Sequence, residues 1–192
     1  MPKVVAGYKT QARARIIAAA STVFRRKGFR NTTMDDIARE IGVSKGALYL
    51  YFATKNDLLG AIQAKSRRTV LQKWERLLEE GDVAEGIVRP LDVVFDGRIS
   101  PSIYLELIAA SPEDPELRKV LRQDSLEDRR TMERFLRKLQ DRGRIPRDRN
   151  ARVMAHTVLV LLRGAVQEMM TDGQPNESRR ELIRSLRFVL GT

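Results

Sequence analysis

Apolar residues recur at intervals of three and four along the whole chain, and no segment alternates apolar with polar residues, so the chain is confined to an all-α fold. From Gln11, the residues Ile16, Ile17, Ala20, Val23 and Phe24 form one stripe. Arg25, Arg26 and Lys27 then suit the carbonyl end of a helix dipole, and Gly28 suits a left-handed cap.

A second helix opens on the capping box Thr33-x-x-Asp36, continues through Met34, Ile37, Ala38 and Ile41, and stops at Gly42. Val43 is read as an apolar plug in the turn. Ser44 caps a short third helix whose Leu48 and Phe52 face inward, leaving Lys45, Gly46, Ala47, Tyr49 and Tyr51 for the outer surface. Another capping box, Thr54-x-x-Asp57, starts a fourth helix with Lys55 in its first position. Two helices joined by a tight glycine turn, the second beginning with small residues, form a helix-turn-helix. Small side chains permit close approach to a major groove, Lys45 reaches a base edge or phosphate, and the tyrosine hydroxyls donate to phosphates.

Charge is distributed in the same sense. Residues 1–55 hold eleven Lys and Arg against three acidic residues, whereas residues 56–192 hold 25 against 22. A basic first segment suits a polyanion. With no cysteine and one histidine, His156, the chain has no thiol nucleophile, no Cys-ligated metal and no imidazole pair, and no cofactor or metal is expected. It has no Gly-rich phosphate loop or serine elbow either, so an enzyme is disfavoured. No apolar run reaches the length of a signal peptide core or a membrane span, which predicts a cytoplasmic chain without a membrane partner.

Residues 32–62, TTMDDIAREIGVSKGALYLYFATKNDLLGAI, resemble the DNA-binding domain of the TetR family of transcriptional regulators. The resemblance rests on Ile37-Ala38, Gly42-Val43-Ser44, Leu48-Tyr49, Tyr51-Phe52, Lys55 and Leu58-Leu59, preceded by Phe24, Gly28 and Phe29. It covers about a quarter of the chain and implies a fold of about nine helices: a DNA-binding domain over 1–54 and a ligand-binding and dimerisation domain over 55–192. The implied DNA-facing set is Thr33, Ser44, Lys45, Gly46, Ala47, Tyr49, Tyr51 and Lys55. Thr33, Tyr49, Tyr51 and Lys55 are assigned to the phosphate backbone, and Lys45, Gly46 and Ala47 to base edges. Ala47 departs from relatives with a polar residue there, which shifts direct readout onto Lys45. For Thr10, Arg13 and Arg15, a basic arm on DNA and a solvated face are equal readings.

Beyond the motif, helix four is expected to run to about Glu80. Pro90 makes the segment Val83 to Phe95 either a kinked helix or two short pieces. Ser100-Pro101 and Asp114-Pro115 are read as helix starts, and Gly143 with Pro146 as a helix end. Segments 148–170 and 176–190 follow, the first of them apolar on more than one face. Such a helix needs a second partner, and homodimerisation through Val158, Leu162, Val166, Leu182 and Leu186 supplies it. The resemblance implies the same pairing through the last two helices. Trp74, Phe95, Tyr104, Met132 and Phe135 are candidates to line a cavity for a small-molecule effector. The expected function is a dimeric repressor on a palindromic double-stranded DNA operator, released by an effector. The rival is a basic helical protein that binds nucleic acid without sequence preference.

Overall fold

The computed structural model describes residues 3–75, 77, 79–92 and 102–192, with the side chains of residues 3–7, 102 and 172 outside the description. Among the described residues there are nine α-helices and no strand: α1 Lys3–Lys27, α2 Met34–Ile41, α3 Lys45–Tyr49, α4 Lys55–Glu75, α5 Val83–Val88, α6 Ser102–Ala110, α7 Pro115–Asp141, α8 Ala151–Asp172 and α9 Pro175–Leu190. The chain forms two compact units, Met1–Lys65 with Ser102–Arg122, and Ser66–Pro101 with Gln123–Thr192. The division expected at residue 54 therefore shifts. Leu107, Ala110 and Leu117 are buried in the same core as Phe24, Phe29, Ile37, Leu48 and Leu58, which brings α6 and the first turns of α7 into the N-terminal unit.

That first unit is built by local signals. The Thr33 hydroxyl accepts the Asp36 amide while Asp36 accepts the Thr33 amide, and Gly42 closes α2 in the left-handed region at φ 76°. The Ser44 hydroxyl accepts the Ala47 amide at 3.2 Å to start α3. Thr54 and Asp57 exchange the same reciprocal bonds at the head of α4. Val43 corrects its expected role as a plug: it is exposed, and its part in the turn is an amide donated to the Ala38 carbonyl. The backbone closes this turn without needing a buried side chain. Helix α1 begins at Lys3, upstream of Gln11, and runs through Gly7 and Thr10 into the apolar stripe.

In the second unit the core joins Trp74, Ile87, Val88, Met132, Leu136, Met154, Val158, Leu182 and Leu186. Helix α4 ends at Glu75, short of residue 80, and Gly81 at φ 85° turns the chain into α5, which Asp82 caps. Pro90 sits in a 3₁₀ turn, Arg89–Leu91, that directly follows α5. The expected start at Ser100-Pro101 lies outside the described residues. The loop between α7 and α8 supplies guanidinium caps. Arg144 donates to the carbonyls of Glu79 and Gly81, Arg147 to Gln140 and Asp141, and Arg149 to Phe188 and Val189. Each satisfies carbonyls that a helix or turn end leaves unpaired.

The largely buried Arg67 guanidinium is shared by Asp124, Glu127 and Asp128 on successive turns of α7. Burial, and then the like charge of Asp128, push the Asp124 carboxyl up to about 6, overriding the pull of Arg67. The folded chain then binds more protons than the unfolded one between about pH 4 and pH 6, so this group's contribution is full below that window and is lost as pH rises through it. Asp124→Asn is accordingly expected to stabilise the fold at pH 7.5 by about 1 kcal/mol and to have little effect at pH 4. Urea denaturation at the two pH values measures this, and a loss of stability at pH 7.5 would show that the ion pair outweighs the burial cost.

Candidate nucleic-acid interface

Helix α3 has one buried turn and one open face. Leu48 and Phe52 lie in the core, so Lys45, Gly46 and Tyr49 are left exposed and Ala47 half-buried. A Cβ placed on Gly46 would meet nothing within 4 Å, so the start of the helix offers open backbone to a close neighbour. The Lys45 ammonium lies 2.9 Å from one Asp35 oxygen and donates a hydrogen bond to the other at 3.1 Å, which holds it above its ordinary pKa. Lys45 is therefore cationic at neutral pH and tethered on the exposed surface to α2. Asp36 is held well below the usual carboxylate range, chiefly by the Lys27 ammonium at 2.7 Å and next by the Thr33 amide. The Thr33 and Ser44 hydroxyls are both engaged as caps.

Lys55 is placed differently from the sequence expectation. Its ammonium donates to the carbonyls of Phe29, Arg30 and Thr32 at 3.0, 3.2 and 3.4 Å, and lies 4.6 Å from the Phe29 ring centre. Its charge is spent inside the unit, on carbonyls of the α1–α2 turn. Tyr51 is half-buried against the core. Together with Lys9, Thr10, Arg13 and Leu50 it lines an open groove of about 450 Å³. Arg13 is stacked over the Phe52 ring at 4.3 Å, which fixes the direction in which its charge is presented. Leu50, 85% exposed, was not singled out by periodicity, which counts a leucine beside Leu48 and Phe52 as core. Its position two residues after Leu48, on the opposite side of the helix, was the available signal. Lys9 and Asp35 were also missed, each being an ordinary charged residue in sequence.

The other two sets of site residues divide. Trp74, Met132 and Phe135 are together in the second core, with the Trp74 and Phe135 rings stacked at 5.2 Å. The Trp74 indole nitrogen is buried and has no hydrogen-bond partner among the described residues. Tyr104 is exposed and belongs to the first unit, and Phe95 lies outside the described residues. Among the expected pairing residues, Val158, Leu182 and Leu186 are corrected: all are buried in the protomer's own core and unavailable to a second chain. Leu162 and Val166 are half-buried. The free apolar face of α8 is carried instead by Val153 and Val160, with the Phe188 ring of α9, 84% exposed, also open to solvent. Between the two valines the Thr157 hydroxyl is turned back onto the Val153 carbonyl, and Gly164 is open. Val153, Thr157, Val160 and Gly164 follow the four-three-four spacing of a helix-packing seam. Within α8, Ala151–Thr171 is the one segment of the described residues long and apolar enough to cross a membrane.

Comparison with known proteins converges on this architecture. Residues 16–62 match the bacterial regulatory proteins, tetR family, and residues 91–188 match the BetI-type transcriptional repressor C-terminal domain. The chain is 38% identical over 96 residues to the uncharacterized HTH-type transcriptional regulator YfiR of Bacillus subtilis, covering 50% of this chain and 47% of that protein. It is 24% identical over 183 residues to the HTH-type transcriptional regulator UidR of Escherichia coli, covering 93% and 91%. GusR of Salmonella enterica superposes with a TM-score of 0.72 at 22% identity over 94% of this chain and 95% of that one. A SmeT–triclosan complex does so at 0.70 and 20%, over 93% and 90%. With a capped helix-turn-helix in its basic N-terminal unit and family matches over both portions, the chain belongs to the TetR family of DNA-binding transcriptional regulators.

Proposed function

We propose that the chain is a repressor that binds a roughly palindromic operator as a homodimer and is released by a small-molecule effector. The observation that carries this reading is the open face of α3, where Lys45, Gly46, Ala47 and Tyr49 stand out from a helix anchored by Leu48 and Phe52. Lys45 reads base edges once it leaves Asp35, while Tyr49, Tyr51 and the amino end of α4 hold phosphates. Lys55 acts here by holding the turn before α2, not as a free cation. The valine seam of α8 and Phe188 bind a second copy, and a two-fold pair matches a palindrome whose half-sites lie about 34 Å apart, one turn of duplex. The stacked Trp74 and Phe135, with an unpaired indole N–H, suit an effector that is largely apolar and carries a hydrogen-bond acceptor. Such a ligand releases DNA only by binding the non-binding state more tightly. This reading assigns the chain no catalytic role and places it where the DNA is.

Selection of duplexes from a randomised pool, followed by gel shift against random competitor, tests the reading. A repressor holds its selected palindrome at least about a thousandfold more tightly than random duplex, while a protein that merely coats nucleic acid shows no such preference. Tyr49→Phe removes one hydroxyl and no charge. It is expected to weaken the selected and random duplexes by the same factor, about five- to tenfold, in a titration at fixed salt. A loss confined to the selected duplex would move Tyr49 from the backbone to a base edge.

A further inference from the structure

We propose that Glu106 of α6 is a positioning residue for the DNA-reading helices and that α6 acts on them directly through it; this rests on the DNA-binding function proposed above. The segment concerned is the turn between α1 and α2. Its Phe29 and Arg30 amides both donate to the Glu106 carboxylate, one to each oxygen, with the Phe29 bond at 2.9 Å. Its carbonyls at Phe29, Arg30 and Thr32 accept from Lys55 of α4. An anion therefore holds the amide side of the turn while a cation holds its carbonyl side, and both sets of bonds are charge-assisted. The turn's own closure is one long backbone bond, Thr32 to Phe29 at 3.4 Å, with the Thr32 hydroxyl on the Gly28 carbonyl and the Asn31 side-chain amide on the Lys27 carbonyl at 3.3 Å.

Gly28 records how closely the carboxylate approaches. It adopts φ 80°, and a Cβ there would lie 2.9 Å from a Glu106 oxygen, so a side chain would both strain the backbone and displace the carboxylate. Thr33, the cap of α2, follows the turn immediately, and α2 packs on α3 through Ile37, Ala38 and Leu48. Leu107 and Ala110 bury α6 in that same core. A shift of α6 therefore carries the turn, and with it the start of α2. The Arg30–Glu113 pair at 3.2 Å is exposed and adds little. Coupling of this kind is reciprocal: if α6 biases the reading helices, bound DNA must restrain α6.

The experiment uses the full chain and a duplex that the wild-type chain selects from a randomised pool. In Glu106→Ala the amides of Phe29 and Arg30 are expected to exchange at least about tenfold faster, and affinity for the selected duplex to fall about tenfold per folded molecule. Affinity for random duplex should change less than about twofold, because no phosphate contact is lost. Glu106→Gln keeps one acceptor oxygen but turns an NH2 toward the other amide, so it should recover only part of the affinity, between the alanine variant and the wild type. Hydrogen exchange supplies the readout that a purely structural role would not move: DNA protects residues 102–110 in the wild type and no longer does so in Glu106→Ala, while residues 34–49 stay protected in both. Wild-type affinity in the folded alanine variant, or no DNA-induced protection of residues 102–110 in the wild type, overturns the coupling and leaves the DNA-binding reading standing. Failure of the wild type to enrich any duplex overturns both.

Discussion

Val160→Arg is expected to give a folded protomer that no longer pairs and binds its operator on the order of a thousandfold more weakly. The side chain is 50% exposed on the open seam of α8, so the protomer's own core loses nothing when it changes. In a two-fold dimer the same position meets its symmetry-related surroundings, and two arginines enter one apolar contact. What remains is a single α3 on a single half-site. The gain from linking two reading heads is on the order of a hundred- to ten-thousandfold, and that gain disappears. Sedimentation together with gel shift measures both halves of the result. Val158→Arg is the informative contrast: that residue is fully buried within the protomer, so its variant should fail to fold at all. A Val160→Arg chain that stays dimeric would remove this seam as the pairing surface.

Lys45→Ala should erode specificity more than affinity. A lysine on a guanine edge contributes about 1–3 kcal/mol of discrimination, and symmetry applies it in both half-sites, so the ratio of selected to random binding should fall on the order of a hundredfold. Binding to random duplex should fall far less. The free protein already spends this ammonium on Asp35, so part of the intrinsic contact replaces an ion pair between two exposed groups, which is a weak competitor. Competition titrations at constant salt separate the two quantities. Equal losses on both duplexes would make Lys45 a phosphate contact and shift readout to the exposed backbone at Gly46 and to Ala47.

Both predictions depend on distinguishing faces of a helix, and the sequence was unequal to that task in different places. Within residues 33–57 each device is local: Thr33 with Asp36, Gly42, Ser44 with the Ala47 amide, and Thr54 with Asp57 are partners at most four residues apart. A spacing rule therefore locates them, and the inward Leu48 and Phe52 follow from the same arithmetic. Helix α8 is apolar over two faces, and periodicity alone does not state which face the protomer covers itself. The denser face, with Val158, went to the internal core alongside Leu182 and Leu186. The sparser one, with Val153 and Val160, was left open.

The sequence by itself determined the all-α class, the order of the helices outside the Val83–Phe95 segment, and the capped helix-turn-helix with its outward lysine and tyrosine, because short-range hydrogen bonding and helical periodicity are written in neighbouring residues. Only the tertiary structure decided what α6 belongs to, where the charge of Lys55 goes and which seam of α8 stays uncovered. Glu106 lies more than seventy residues from the turn it holds, and Lys55 more than twenty from the carbonyls it caps. Pairings of that length depend on how the helices pack, and no spacing rule reports them.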